Sequence, residues 1–251
     1  MNKLDGKVVV ITGGAQGLGE SHSRLFAELG ARVVITDVEA GAGFKLAQEL
    51  TAMGYVASFQ ELDVRDEANW SQVIEQVLEQ HRRIDVLVNN AGIYLRTPLE
   101  ETSAQQFDKL MAINVKGTFL GCKAVAPVMR AQGGGVIVNT GSIAAMVANL
   151  DGEVAYCASK GAIKMLTKAI ASDLAGANIR VNSVHPGVVN TPMAADFFKD
   201  PDLARELLGT TLMKRAAAPA EISQAIAFLI SDSASFMTGS DLVVDGGFTA
   251  V

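Results

Sequence analysis

Lys7-Val8-Val9-Val10-Ile11-Thr12, running directly into Gly13-Gly14-Ala15-Gln16-Gly17-Leu18-Gly19, is the stretch that decides the fold. The first six residues form a short β-branched run without polar alternation, the pattern of a strand buried on both faces of a parallel sheet. Glu20 to Leu29 follows the glycines, with Leu25, Phe26 and Leu29 at helical spacing, and Gly30 closes that helix. The order strand, glycine loop, helix carries the reading. Glycines let the backbone turn sharply and approach a pyrophosphate, and the unpaired N–H groups at the helix start attract its charge. A glycine pattern alone says little, because turns are rich in glycine. Here the next strand, Arg32-Val33-Val34-Ile35-Thr36, ends in Asp37, where an acid can bind the ribose hydroxyls of an adenine dinucleotide. The alternative for Asp37 is a cap on the turn that follows.

Outward from this unit the alternation repeats. Gly43 to Met53 reads as a helix, Tyr55 to Leu62 contains a strand, and Asp63-Val64 stands at its carboxyl end, where ligands sit in doubly wound sheets. Asp66 can cap a helix that runs to about His81 and buries Trp70, Val73, Ile74 and Val77 on one side; His81 reads as a solvated helix end. A fourth strand, Ile84 to Val88, opens into Asn89-Asn90-Ala91-Gly92, whose amides and small residues let the backbone approach adenine and ribose. A capped turn is the other reading of that string. From Thr102 a long helix carries Phe107, Leu110, Ile113, Val115, Phe119 and Leu120 toward a core. Asn114 is polar within that stripe, and a buried amide there can simply find backbone partners. Gly135 to Asn139 is a buried strand that delivers Ser142 at its carboxyl end. Ile179 to Val184 is another and leads into His185-Pro186-Gly187-Val188-Val189-Asn190-Thr191; Leu242 to Asp245 is the last, before Gly246-Gly247. Seven strands alternating with helices give an α/β class, a doubly wound parallel sheet with helices on both faces. One domain over residues 1–251 is expected, with a cofactor half at about 1–135 and a catalytic and substrate half at about 136–251.

Tyr156-Cys157-Ala158-Ser159-Lys160 places a phenol and an ammonium four residues apart in a helical segment, so both side chains share a face. A free tyrosine has a pKa of about 10, and a neighbouring cation favours the phenolate, which would make Tyr156 an acid/base group. Two surface residues meet at this spacing by chance in many helices.

Composition narrows the function classes. Of 251 residues, 49% are hydrophobic, 19% charged and 24 are glycine, which supports a substantial core and many tight turns. A net charge of −6 and no clustered Lys and Arg argue against a nucleic-acid surface and for a small-molecule ligand. The N-terminus has no apolar signal region and no run approaches the roughly 20 apolar residues of a membrane span, so a cytosolic location is expected. Cys122 and Cys157 lack metal-type spacing and are expected as buried free thiols, with no metal site.

On these residues the chain resembles the short-chain dehydrogenase/reductase family along essentially its whole length. Gly13, Gly17 and Gly19 after Thr12 are similar to that family's cofactor loop, and Asn89 to Gly92 to its strand-stabilising motif. Asn114, Ser142, Tyr156 and Lys160 fall where its catalytic tetrad lies, and Pro186-Gly187 with Thr191 looks like its nicotinamide-side loop. One departure is Thr140-Gly141 before Ser142, where relatives often carry two adjacent serines. The resemblance implies hydride transfer between a nicotinamide and a carbinol carbon, with Tyr156 exchanging the hydroxyl proton. Lys160 would lower the Tyr156 pKa and bind the nicotinamide ribose, Ser142 would hold the substrate oxygen, and Asn114 would keep a water-mediated proton path to solvent. Cofactor contacts are expected from Gly13, Gln16, Gly17, Leu18 and Gly19, from Asp37, Val38, Asp63 and Val64, from Asn90, Ala91 and Gly92, and from Pro186, Gly187, Val189 and Thr191 with Tyr156 and Lys160. Asp37 with no cation at Gln16 or Val38 implies NAD rather than NADP. The closest variant is the NAD-using bacterial alcohol and hydroxysteroid dehydrogenases of the 3α/20β type, which implies a cyclic, aryl or steroid-like secondary alcohol. The alternatives are a 3-oxoacyl-carrier-protein reductase and a non-catalytic NAD-binding scaffold. An apolar substrate pocket is expected between Ile143–Glu153 and Val188–Met213, with Ser142, Met146, Leu150 and Tyr156 facing Met193 and Phe197, and a mobile lid at about 188–214. Relatives join through the helix after Asn114 and the helix of Tyr156, and through the C-terminal strand, so a homotetramer is expected, with Ile163, Leu166 and Ile170 as apolar surplus. His185 has no partner that the sequence identifies.

Overall fold

The computed structural model describes residues 4–148, 151–199 and 201–250, with side chains at all of these except 196, 197, 201, 203, 206 and 207. Among them seven strands form one parallel sheet: β1 (Val8–Thr12), β2 (Arg32–Asp37), β3 (Ala57–Glu61), β4 (Val86–Asn89), β5 (Gly135–Thr140), β6 (Ile179–Pro186) and β7 (Asp241–Val244). Their order is β3-β2-β1-β4-β5-β6-β7, with Val9 opposite Val33 on one side and Val86 on the other. The chain reverses direction across the sheet between β1 and β4, and the crevice beyond their carboxyl ends is where a doubly wound sheet binds a ligand.

Helices cover both faces: α1 (Gly17–Glu28), α2 (Ala40–Ala52), α3 (Glu67–His81), α4 (Ala104–Met111), α5 (Gly117–Ala131), α6 (Val154–Leu174), α7 (Ala195–Lys199), α8 (Pro201–Thr210) and α9 (Pro219–Ile230). The unbroken apolar run of β1 follows from this. Val9 and Ile11 pack with Phe26 of α1, Leu50 of α2 and Ile226 of α9, while Val8 and Val10 pack on the other face with Trp70 and Val73 of α3 and Val125 of α5. A strand covered on both sides has no solvent face to alternate toward. Asp66 caps α3, its carboxylate accepting from the Ala68 and Asn69 N–H groups, and Trp70, Val73, Ile74 and Val77 are all buried as expected.

The long helix expected from Thr102 is interrupted. A short 3₁₀ turn (Leu99–Glu101) precedes α4, Ser103 and Gln106 form a reciprocal cap, and a π-helical segment, Ala112–Lys116, separates α4 from α5. Phe107 and Phe119, expected in the core, are 39% and 45% exposed. The face that approaches the sheet carries Gly117 and Gly121 instead, the latter lying against Asn89 and Trp70 where no Cβ would fit. Close approach rather than side-chain bulk decides burial there. Ile163 is a core residue rather than surplus, and the exposed apolar side chains of α5 and α6 are Phe119, Val154 and Met165. Cys122 is buried and Cys157 only half-buried, both free. None of the described helices is long and apolar enough to cross a membrane.

Candidate active site

A cavity of about 650 Å³ opens along the carboxyl ends of the strands. Its floor begins at the glycine loop, where Gly13 and Gly17 have φ of +59° and +56°, left-handed conformations that a side chain would strain. Of the expected cofactor set, all but Gly19 line the cavity. Gly19 points inward, packed on Gly13 and Gly14 with no room for a Cβ, so its role is to let α1 approach the loop. Asn90 pins the same loop: its Nδ2 donates to the Thr12 and Gly13 carbonyls at 3.1 Å each, and the Thr12 hydroxyl accepts from the Asn90 and Ala91 N–H groups at 3.0 Å. Asn89 turns away, donating to Asn139 Oδ1 at 2.9 Å and bracing β4 against β5.

Asp37 does two things. Its Oδ2 accepts from the Ala15 N–H at 3.1 Å, which ties β2 to the glycine loop, and its Oδ1 accepts from the Glu39 N–H at 3.1 Å, which caps the turn. The side chain nonetheless lines the cavity beside Val38, which is 57% exposed. At the next strand end Asp63 holds Arg65 through both carboxylate oxygens, and that cation favours the ionised carboxyl and lowers its pKa. Arg65 therefore lines the cavity as a paired charge. The cradle of backbone N–H groups, glycines and a cavity-lining acid fits a nicotinamide adenine dinucleotide.

At the other end Ser142, Tyr156 and Lys160 share the wall. Lys160 is buried, and its Nζ donates to the Thr140 carbonyl at 2.9 Å and lies 5.6 Å from the centroid of the Tyr156 ring. Burial lowers the Lys160 pKa to about 8. The expectation that the lysine draws Tyr156 down is not met. Burial pushes the phenol up to about 12, the Ser142 hydroxyl opposes this, and Glu153 and Cys157 add to it. Both members of the pair have left water, and the ammonium is anchored on a carbonyl rather than on the phenol oxygen. Asn114 lies behind the wall, outside the cavity lining: its Nδ2 donates to the Ile93 carbonyl at 3.0 Å and Ser159 Oγ at 3.1 Å, and its Oδ1 accepts from the Ile93 N–H at 2.9 Å. It braces the segment after β4 against α6.

His185 does have partners. Its Nδ1 meets the Ser142 carbonyl at 3.0 Å and its Nε2 meets Ser183 Oγ at 2.9 Å and Asp241 Oδ1 at 3.3 Å, while burial lowers its pKa. The ring fills the space beside Gly141, where a Cβ would come within 2.5 Å of it. That explains Thr140-Gly141 in place of a larger pair.

The substrate end differs from expectation. Met193 lines the cavity, whereas Met146 does not: the chain turns tightly after Ile143, with the Met146 and Val147 N–H groups both returning to the Ile143 carbonyl, and carries Met146 off the wall. Leu150 and the Phe197 side chain lie outside the described residues. Ile93, Tyr94, Ile143, Ala144, Glu153 and Phe248 complete the wall. The signal for Phe248 was the glycine pair at 246 and 247, whose positive φ values turn the chain back toward the site.

The comparisons with known proteins agree with this geometry. Residues 13–249 match the family described as enoyl-(acyl carrier protein) reductase, of the short-chain alcohol dehydrogenase type. The chain is 48% identical to cyclopentanol dehydrogenase of Comamonas sp. (strain NCIMB 9872) over 250 residues, covering 100% of both chains. It is 42% identical to trans-4-hydroxycyclohexanecarboxylate dehydrogenase of Sinomonas cyclohexanicum, covering 97% of this chain and 93% of that one. Among solved structures, a gluconate 5-dehydrogenase from Burkholderia cenocepacia J2315, in complex with NADP and tartrate, superposes with a TM-score of 0.96 at 34% identity, over 99% of this chain and 97% of that one. The chain therefore belongs to the short-chain dehydrogenase/reductase family, among the members that act as alcohol dehydrogenases.

Proposed function

We infer that this protein interconverts a hydrophobic cyclic secondary alcohol and its ketone with NAD(H), using Tyr156 as the proton-exchanging group. The observation that carries this reading is one cavity with the glycine loop and Asp37 at one end and Ser142, Tyr156 and Lys160 at the other. Bound along it, a nicotinamide coenzyme supplies the hydride acceptor and donor. Ser142 Oγ positions the substrate oxygen, and the Tyr156 hydroxyl exchanges its proton. Lys160, which lines the same cavity, would hold the nicotinamide ribose. Asn114 holds Ile93 and Ser159 in place, and its Oδ1 keeps acceptor capacity for a water-mediated proton path.

Asp37 supports NAD over NADP. Its carboxylate accepts ribose hydroxyls but faces a 2′-phosphate at close range, and the nearby cation, Arg65, is committed to Asp63. Repulsion and lost hydrogen bonds together amount to roughly 3–4 kcal/mol, or two to three orders of magnitude in preference. The B. cenocepacia protein holds NADP, so the preference is argued from this chain's own residues. Two relatives named for ring alcohols, and an apolar wall of Ile93, Ile143, Ala144 and Phe248, support a ring substrate over a steroid-specific role. A cytosolic homotetramer completes the reading. The test is kcat/KM for NAD and NADP with cyclopentanol in the wild type and in Asp37→Ser with Val38→Arg. A strong NAD preference that moves toward NADP in the double variant is expected; an indifferent wild type contradicts the coenzyme assignment, and no turnover of ring alcohols contradicts the substrate class.

A further inference from the structure

Beyond the groups already given roles, the substrate end of the cavity holds a buried acid. Glu153 immediately precedes α6, is 7% exposed and lines the cavity with Ser142 and Tyr156. Its Oε1 accepts from the Tyr94 hydroxyl at 2.5 Å, the length of a charge-assisted O–H···O⁻ bond. Among the described residues this is the hydrogen bond the carboxyl makes, and neither of its oxygens is both orphaned and sealed from solvent. Tyr94 comes from a separate segment, beyond β4, and meets the Tyr156 ring edge-on with centroids 4.9 Å apart. The pair therefore borders the proton-exchanging phenol.

A carboxyl placed in an apolar wall costs stability unless something satisfies it. An acid kept for the fold is held by a cation or by hydrogen bonds. Arg96 instead donates its Nε to the Asp151 carbonyl at 3.0 Å; burial raises the Glu153 pKa, and the Tyr94 hydroxyl and the field of Arg96 oppose that rise. Lys109, the other cation on this cavity besides Lys160 and Arg65, is exposed. Tyr94 engages Oε1, and the Glu153 side chain lines the cavity.

The geometry points to Glu153, oriented by Tyr94, as a specificity residue that reads the substrate beyond its reacting carbon: it accepts a hydrogen bond from a second hydroxyl of a neutral cyclic diol and repels a carboxylate on the same ring. This rests on the ring-alcohol reading above. An ionised carboxyl offers acceptors and no donor, so a hydroxyl is matched and an anion is opposed. A site with a buried polar partner discriminates against a substrate lacking the matching group far more strongly than an apolar wall does. The two effects separate by substitution. Glu153→Gln removes the charge and keeps hydrogen-bonding capacity; Glu153→Leu removes both.

The experiment measures kcat/KM for cyclohexanol, 1,4-cyclohexanediol and trans-4-hydroxycyclohexanecarboxylate in the wild type, Glu153→Gln, Glu153→Leu and Tyr94→Phe. Each variant's cyclohexanol value serves as its own reference, so general damage to folding cancels in the ratios. In the wild type the diol is expected to exceed cyclohexanol and the carboxylate to be the poorest of the three. In Glu153→Gln the carboxylate ratio is expected to rise about tenfold or more with the diol ratio nearly kept, and in Glu153→Leu the diol preference is expected to disappear. Tyr94→Phe should weaken the diol preference without relieving the carboxylate. Ratios unchanged in both Glu153 variants overturn the inference while leaving the ring-alcohol function standing. A wild type that turns over none of the three overturns the function itself and the inference with it.

Discussion

Gly141 and His185 fit against each other at the base of the site, and that contact sets where Ser142 sits. The His185 ring is fixed by three polar partners, so it cannot yield to a side chain at position 141. Gly141→Ala is expected to cost about 1–3 kcal/mol of stability and to lower kcat. Adding His185→Ala should recover part of both, by denaturant titration and initial rates; additive losses contradict the contact. The phenol invites a second test. With Tyr156 raised to about 12 it is protonated at neutral pH, so the form that accepts a proton grows as pH rises. Alcohol oxidation is expected to gain in kcat/KM through the neutral and mildly alkaline range, and ketone reduction to stay level or fall; a flat oxidation profile contradicts the acid/base role. At this scale the sequence was legible where chemistry has a spacing, as with Tyr156 and Lys160 or Gly13 and Gly17. The pairing of Glu153 with Tyr94 was hidden because the two are 59 residues apart, and so were the Ser142 and Asp241 partners of His185, which come from other segments; Ser183, two residues away on β6, was within reach of the sequence.

Elements were legible wherever burial follows apolar bulk. Strands β1, β4 and β5 and the buried face of α3 all read directly, because large side chains fill the space between sheet and helix. Interruption of the helix at Ala112–Lys116 did not read, since apolar residues continue across it and a π segment leaves no mark in composition. Packing of α1 on α9 gives a prediction at this scale. His22 is wholly buried between them, its Nδ1 2.8 Å from Ser223 Oγ, and burial lowers its pKa from 6.5 to about 3. The unfolded chain therefore binds one more proton than the folded one between those values, and stability falls as pH drops below 6.5. By about pH 5 this one group removes ~2 kcal/mol. Denaturant titrations at neutral pH and about pH 5 should show His22→Gln losing less stability over that interval than the wild type by roughly that amount. Equal losses would show that α1 and α9 do not hold a neutral imidazole.

For the whole molecule, strand order does the positioning. Because β1 and β4 are neighbours whose connections leave in opposite directions, the glycine loop, the Asn89–Gly92 segment and the end of β5 converge on one crevice. The alternation of strands and helices made that arrangement legible. The substrate wall was legible only in part: Ile143–Glu153 was expected on one side, whereas Tyr94 and Phe248 come from distant segments and carry no shared motif. Exposed Phe119, Val154 and Met165 on α5 and α6 are apolar surface that a fourfold assembly through those helices would cover. Light scattering at micromolar concentration is expected to give the tetramer mass, and a monomer would rule the assembly out. The most direct test of the central claim is NADH formation from NAD and cyclopentanol by the wild type and by Tyr156→Phe, with NADH binding titrated in both. The expected result is turnover in the wild type, loss of at least about a hundredfold in the variant, and coenzyme affinity nearly unchanged; a variant that keeps a tenth of wild-type turnover would contradict it.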